Sequence, residues 1–121
     1  MKLPGPGHPI TITPNANRVR VSFAGKIVAD SKRALTLKEA HYAAVQYIPR
    51  EDADMSLLKP TSHKSHCPYK GDASYFSIVG DGRAAENAVW SYEQPFAAMA
   101  EIEGYLAFYP DLVDKIEETA I

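Results

Sequence analysis

One short segment of the chain concentrates side chains that can do chemistry. His66, Cys67, Tyr69, Lys70 and Asp72 place an imidazole, a thiol, a phenol, an ammonium and a carboxylate within seven residues. A lysine or a protonated histidine beside a cysteine favours the thiolate, which is the nucleophilic form. The segment therefore predicts a functional site with Cys67 and Lys70 as candidate catalytic residues. The alternative is structural, because a buried cysteine often acts as a small apolar filler.

The same segment raises the question of a metal. His63, His66 and Cys67 have the spacing His-x-x-His-Cys, which offers soft ligands. Zinc usually takes four ligands, however, and the sequence holds no second cluster to supply the rest. Cys67 is the only cysteine, which excludes an internal disulfide and any Cys₄ or Cys₂His₂ zinc site. We expect no metal, and no cofactor-binding motif such as Gly-x-Gly-x-x-Gly or Gly-x-x-x-x-Gly-Lys-Ser/Thr is present.

A second constellation is aromatic. On alternating strands Tyr75 falls on the face opposite Phe76, while Trp90 and Tyr92 share a face of a neighbouring strand. If Tyr75 faces Trp90, these rings form a cluster with polar tips. Such a cluster is either a satisfied core or the wall of a pocket whose phenols and indole orient a ligand.

An arginine completes the candidate site. Arg33 follows Asp30-Ser31-Lys32 and has the planar fork that clamps a carboxylate or a phosphate, although simple surface solvation is the alternative. The predicted ligand-binding residues are Arg33, Tyr47, His66, Cys67, Tyr69, Lys70, Tyr75, Trp90 and Tyr92.

Two hairpins are predicted to position these residues. Residues 18–23 alternate in polarity and are followed, after a turn in which Gly25 supplies a positive φ, by the apolar run 26–29. The segments 73–79 and 88–92 make a second strand pair around a glycine-rich turn. Both hairpins are antiparallel, so a β-sheet carries the aromatic residues.

The rest of the chain supplies shorter elements. Strands are predicted at 10–13, 34–40, 43–48 and 105–109, and the segment 34–40 is also compatible with a helix. Short helices are predicted at 50–58 and 95–102. The segment 61–72 is predicted to be a loop, and 111–121 is either a short helix or an edge strand. This pattern predicts a mainly β fold of antiparallel sheets, in a compact tent-like or sandwich arrangement with two or three short helices. Residues 10–121 are expected to form a single domain after an irregular arm at 1–9.

Composition limits the class of partner. The net charge is −2 and the basic residues are scattered, so the chain lacks the electrostatic footprint of a nucleic-acid-binding protein. No apolar run approaches the roughly 20 residues that span a bilayer, and prolines and glycines interrupt the first nine residues where a signal peptide would need an apolar core. We therefore expect neither a nucleic acid nor a membrane as partner, and a cytoplasmic location.

With these residues in view, the chain resembles the domain of unknown function 427 family over roughly residues 18 to 118. The resemblance rests on Val28-Ala29-Asp30-Ser31, Tyr47-Ile48-Pro49, His66-Cys67-Pro68-Tyr69-Lys70-Gly71-Asp72-Ala73-Ser74-Tyr75, Ala88-Val89-Trp90-Ser91-Tyr92 and Leu106-Ala107-Phe108-Tyr109-Pro110. It implies a small β-rich, tent-like domain that is sometimes labelled nucleotidyltransferase-like. Glu51, Asp52 and Asp54 lack the strand-end context in which such enzymes hold Mg²⁺.

The residues together favour a domain that binds a small molecule, with or without catalysis. Its pocket is predicted where segment 63–72 meets the aromatic hairpin, with Lys70 and Arg33 supplying positive charge. The alternative is a protein-interaction module, such as a homodimer, that uses the aromatic strands and the proline-rich arm as its contact surface.

Overall fold

The fold is built from three antiparallel sheets. The computed structural model describes residues 1–121. One sheet has the order β1-β4-β5, a second β10-β2-β3, and a central four-stranded sheet β6-β7-β8-β9. The strands are β1 (Ile10–Pro14), β2 (Arg18–Phe23), β3 (Lys26–Ser31), β4 (Leu35–Glu39), β5 (Val45–Tyr47), β6 (Leu58–Cys67), β7 (Gly71–Val79), β8 (Ala84–Ser91), β9 (Ala107–Phe108) and β10 (Lys115–Thr119). The mainly β, antiparallel fold class is confirmed, and the tent-like arrangement stays a prediction.

The first predicted hairpin is present as β2 and β3. Ala24 and Gly25 both have positive φ, 51° and 76°. A two-residue turn with these angles matches the right-handed twist of the two strands that it joins. The exposed turn is tied down by the Ala24 N–H, which donates to the Asp114 carboxylate at 2.8 Å. On the other edge of β2 lies β10, so the edge-strand alternative for the C-terminal segment is correct.

The predicted loop at 61–72 is wrong. Residues 58–67 form β6, a long edge strand that pairs with β7, and only residues 68–70 turn between them. The side chains of β6 are largely exposed on both faces, so the strand carries no alternation of apolar and polar residues. A shift of register between Pro60 and Lys64 interrupts the pattern further.

The helices are shorter than predicted and all are 3₁₀. The acidic segment forms two separate turns, Arg50–Asp52 and Met55–Leu57, instead of one continuous helix. The segment Ala97–Ile102 forms the third, with a break at Met99. The predicted strand at 105–109 is reduced to the two residues of β9. No helix of the structure is long and apolar enough to cross a membrane.

The central sheet separates two clusters of buried side chains. Phe76 and Val89 belong to a cluster of 16 buried residues shared with the β10-β2-β3 sheet. Tyr75 and Ala107 belong to a cluster of eight shared with the β1-β4-β5 sheet. Because neighbouring residues along a strand point to opposite faces, the two outer sheets cover opposite faces of the central one. The smaller cluster is the one that contains the candidate site.

The N-terminal arm, residues 1–9, is fastened to the domain at both ends. The Lys2 N–H donates to the Pro68 carbonyl at 2.7 Å, and the Pro9 carbonyl accepts from the Ala40 N–H at 2.8 Å. Between them the His8 ring stacks on Tyr69 with centroids 4.1 Å apart. The arm therefore packs against the β6–β7 turn, beside the candidate site.

Candidate functional site

Lys70 reaches the interior from the tight turn between β6 and β7. The backbone N–H of Lys70 donates to the Cys67 carbonyl across the turn at 3.3 Å. Gly71 follows with φ of +110°, which residues with a side chain rarely adopt. The Phe96 N–H donates to the Lys70 carbonyl at 3.0 Å and closes the turn from the other side. Lys70 is consequently only 6% exposed.

The Lys70 ammonium is held by a carboxylate and lies near the thiol. It donates a hydrogen bond to Glu39 of β4, and it lies 3.7 Å from the Cys67 sulfur. The other oxygen of Glu39 contacts His8 Nε2 at 2.8 Å. Burial alone raises the pKa of Glu39, but hydrogen bonds with Lys70 and His8 outweigh it and hold this pKa below its ordinary value. Glu39 is therefore ionised at neutral pH and balances the Lys70 charge.

Three aromatic rings form a corner beside this ion pair. The indole N–H of Trp90 donates to the Tyr47 hydroxyl at 3.2 Å, and the two rings are nearly perpendicular at 88°. On its other side Trp90 packs against Tyr109 with centroids 4.4 Å apart. The Tyr47–Trp90 pair has the favourable edge-to-face geometry, and the hydrogen bond fixes the orientation of the indole.

A chain of hydroxyl groups crosses the same face of the central sheet. Tyr75 lies opposite Trp90 in the β7–β8 register, as the sequence suggested. Its hydroxyl is 2.8 Å from Ser65 Oγ and 3.4 Å from the Tyr109 hydroxyl. Burial and the contact with Tyr75 raise the pKa of Tyr109 to about 12. The two contacts use two of the three hydroxyl protons, and the raised pKa keeps the Tyr109 phenol protonated at neutral pH.

Two other phenols, those of Tyr47 and Tyr92, have a hydroxyl proton that no group of the protein accepts. The Tyr92 hydroxyl has no partner within the protein, and the Tyr47 hydroxyl accepts from Trp90 without donating its own proton. Every fully buried side-chain nitrogen or oxygen in the molecule has a partner, so the Tyr92 hydroxyl reaches open space. Burial raises the pKa of both Tyr47 and Tyr92 well above the ordinary value, so both groups remain donors.

These side chains surround a cavity of about 460 Å³ between the central sheet and the β1-β4-β5 sheet. We call it the aromatic cavity. The loop between β4 and β5 contributes exposed residues to its lining, and the two sheets and the 68–70 turn contribute the rest. The complete lining is Leu37, Glu39, Tyr42, Ala43, Val45, Tyr47, Ser65, Lys70, Tyr75, Trp90, Tyr92 and Tyr109.

The structure brings five of the nine predicted ligand-binding residues into this lining: Tyr47, Lys70, Tyr75, Trp90 and Tyr92. Cys67 is half-buried beside Lys70 but does not line the cavity. Tyr69 lies in the turn and stacks on His8 instead.

Two predicted residues lie elsewhere. His66 is exposed on the outer surface of the hairpin, where its Nδ1 is 2.7 Å from an Asp72 oxygen. Arg33 bonds the carboxylates of Glu51 and Asp52 and does not supply charge to the cavity. Its Nη2 alone donates to both carboxylates, so the guanidinium does bind carboxylates, but they belong to the protein.

Sequence reasoning missed four residues of the lining that carry polar groups, namely Glu39, Tyr42, Ser65 and Tyr109. Glu39, Ser65 and Tyr109 come from three segments that are distant along the chain. Tyr109 appeared only within one of the family motifs, and Glu39 lies near the end of the segment 34–40, whose period is compatible with a strand or a helix. Only the packing of one sheet on another brings them together, so no local pattern identifies them.

Two further features adjoin the site. An apolar cleft of about 370 Å³ shares Val45 and Trp90 with the aromatic cavity. Its complete lining is Val19, Val21, Ala44, Val45, Gln46, Ile48, Trp90, Phe108, Pro110, Ile116 and Glu118.

The histidines near the site do not converge. His63 packs edge-on against Tyr75, whereas His66 pairs with Asp72. No three histidine, cysteine or acidic side chains gather closely enough to hold a metal ion.

The comparisons with known proteins give a family and no activity. The sequence profile of a family described as a domain of unknown function (DUF427) matches residues 11–119. No curated protein matches the chain. The match runs from the second residue of β1 to the end of β10 and includes every strand that lines the aromatic cavity. The chain therefore belongs to the DUF427 family of domains of unknown function.

Proposed function

We propose that this domain binds a small molecule in the aromatic cavity. The observation that carries the proposal is the cavity itself, whose size falls in the range of about 300–1,000 Å³ that ligand sites occupy. Its walls are mostly aromatic, and a few polar groups converge on it: the Lys70–Glu39 pair and the phenols of Tyr47 and Tyr92. Apolar walls with a small number of oriented polar groups are typical of ligand pockets.

The charges of the site support binding more than a purely structural role. Burying a lysine is costly, and a packed core would be served as well by an apolar side chain. Here Lys70 is placed at the cavity, against the Glu39 carboxylate and close to the Cys67 thiol. The arrangement positions an ammonium, a carboxylate and two phenol donors around one space, which is how a polar ligand is oriented.

Trp90 provides a direct test. It is the only tryptophan and it lines the cavity, so its fluorescence reports on occupancy. We would titrate four single-ring probes, toluene, benzamide, benzoate and benzylamine, and expect at least one saturable change, with a Kd on the order of 1 mM for fragments of this size. Absence of any saturable change would contradict the proposal.

Two neighbouring alanines give a matched pair of variants. Ala43 lines the aromatic cavity, whereas Ala44 lines the apolar cleft. Ala43→Phe fills the cavity and should abolish the response of Trp90, while Ala44→Phe should leave it unchanged. The reverse result would place the binding site in the apolar cleft and overturn the proposal.

The homodimer has less support. Its most accessible route is pairing through the exposed edge of β6, but that strand carries Lys59, Pro60 and Lys64, which are residues that discourage pairing of edge strands. The N-terminal arm is fastened to the domain through Lys2 and Pro9. Light scattering over a range of protein concentrations tests for the dimer directly.

A further inference from the structure

The ligand class follows from the polar groups left without partners in the aromatic cavity. Within the lining, the Ser65, Tyr75 and Tyr109 hydroxyls form a chain of two hydrogen bonds, which leaves one of their three protons at an end of the chain. The Tyr47 proton and the Tyr92 hydroxyl are not used by the protein. Both residues are nearly buried, at 2% and 7% exposure, so what meets their hydroxyls is confined to the cavity. The cavity thus offers two phenol donors to an occupant.

These phenols act as donors rather than as negative charges. Burial raises the pKa of Tyr47 and of Tyr92, and nearby acidic groups add to the effect. Both therefore keep their protons at and well above neutral pH. The complementary group on a ligand is a hydrogen-bond acceptor, such as a carbonyl oxygen.

The net charge of the site selects against ions. Lys70 is the lining residue with a positive charge, and Glu39 neutralises it at direct hydrogen-bond distance. The charge of Glu39 offsets the attraction of Lys70 for a ligand anion, and the charge of Lys70 offsets the attraction of Glu39 for a ligand cation. Since burying an ion without a free partner costs several kcal/mol, a neutral molecule is favoured.

The aromatic walls of the cavity favour a planar ligand. The perpendicular Tyr47 and Trp90 rings and the Tyr109 ring packed on Trp90 form a corner of aromatic faces and edges. A planar ring meets such a corner with favourable stacked or edge contacts. A volume of about 460 Å³ accommodates one or two rings, given that about 150 Å³ suffices for benzene.

We propose that the aromatic cavity recognises an uncharged, planar, ring-bearing molecule whose carbonyl-type oxygen accepts hydrogen bonds from the Tyr47 and Tyr92 hydroxyls. This inference rests on the proposed function, because it names the ligand class of the same cavity. Lys70 and Glu39 set the electrical neutrality of the site, and the two phenols set the position of the acceptor.

The four ring probes test separately whether the cavity binds a small molecule and whether it prefers an uncharged hydrogen-bond acceptor. Benzamide, benzoate and benzylamine have rings of the same size and differ in charge, and toluene lacks an acceptor. We expect benzamide to bind about tenfold or more tightly than benzoate or benzylamine. Equal or tighter binding of either ion would overturn the ligand class and leave the cavity as a binding site. No binding by any probe would overturn both.

The phenol contacts are tested by removing single oxygen atoms. Tyr92→Phe should weaken benzamide by roughly 3- to 10-fold, the loss expected for one neutral hydrogen bond, and should leave toluene unaffected. Tyr47→Phe also removes the acceptor of the Trp90 indole N–H, so it should weaken benzamide at least as much and should weaken toluene less than benzamide. Tyr105→Phe removes a hydroxyl outside the cavity lining and should change neither. Equal losses for toluene and benzamide would show that the hydroxyls act on packing, which contradicts the proposed recognition. The charge series needs only the natural protein, so it decides the ligand class even if a variant fails to fold.

Discussion

The Lys70 ammonium donates a hydrogen bond to the Glu39 carboxylate, and this ion pair joins the β6–β7 turn to strand β4 of a different sheet. Lys70 is nearly buried, and the side chain of Glu39 is 17% exposed. The pair is therefore one of the few polar links between the two sheets that enclose the aromatic cavity.

Removing both members of this pair should cost less stability than the sum of the costs of removing each one alone. Glu39→Gln leaves the Lys70 charge buried without its counterion, and we expect a loss of about 2–3 kcal/mol in the free energy of unfolding, below the roughly 3–5 kcal/mol of a fully buried pair. The double variant Glu39→Gln with Lys70→Met should lose less than the sum of the two single variants. Urea unfolding measures all three, and strictly additive losses would show that the residues do not interact.

The same carboxylate predicts acid sensitivity. The pKa of Glu39 in the folded protein lies below its ordinary value of 4.5, so as the pH falls past that value the unfolded chain takes up the proton first. Stability from this group is thus complete above pH 4.5 and decreases as the pH falls through the lower folded value.

Urea unfolding between pH 7 and pH 3 tests the prediction. Asp30, Glu51 and Asp114 also have lowered pKa values and contribute in the same direction, so the comparison must be made against Glu39→Gln. The variant should lose less stability over this range than the natural protein. An identical pH dependence would show that Glu39 contributes nothing.

Alkaline pH should destabilise the domain through the buried phenols. The pKa of Tyr109 is raised to about 12, and those of Tyr47 and Tyr92 are raised further above their ordinary value of 10. Above pH 10 the unfolded chain loses phenolic protons that the folded chain keeps, so the free energy of unfolding falls as the pH rises. Near pH 12 Tyr109 can ionise in the folded chain, but phenolate absorbance and circular dichroism, followed together, should show Tyr47 and Tyr92 ionising only with unfolding. Their ionisation in a chain that is still folded would contradict the assigned burial.

A steric prediction concerns Gly80, at the end of β7. A Cβ added there would lie 2.8 Å from the Ala24 Cβ of the first hairpin. Gly80→Ala should therefore destabilise the domain by about 1–3 kcal/mol, as overpacked substitutions do. In an Ala24→Gly background the clash disappears and the cost should fall close to zero.

Gly7→Ala is the matched control, because nothing lies within 4 Å of a Cβ at that position. The test is urea unfolding of the natural protein, Gly80→Ala, Ala24→Gly, the double variant and this control. If Gly80→Ala costs as much in the Ala24→Gly background as in the natural one, the contact is not its cause.

The sequence predicted those parts of the fold whose buried face alternates. The β2–β3 hairpin is an example, since Val19, Val21 and Phe23 are all buried on one face and the turn at Ala24-Gly25 is visible. Strand β6 shows the opposite case. Its exposed, polar residues leave no periodic signal, and only pairing with β7 makes it a strand.

The candidate site was predictable to the extent that its residue types were unusual. Lys70 and Trp90 stood out by their chemistry, and both line the cavity. Glu39 did not stand out, because its importance depends on which face of the central sheet the β1-β4-β5 sheet covers. Arg33 drew attention by its guanidinium, but Glu51 and Asp52 from a 3₁₀ turn engage it. Long-range packing decides such cases, and single-sequence patterns carry no information about it.

The central sheet with a separate core on each face has a consequence for how this family can diversify. The 16-residue cluster on one side anchors the domain, while the aromatic cavity interrupts the eight-residue cluster on the other. Substitutions that reshape the cavity reach the larger cluster only through the backbone of one sheet. Substitutions can thus reshape the cavity on one face while the stability contributed by the other face is retained, and a designer can mutate the cavity residues with the same separation.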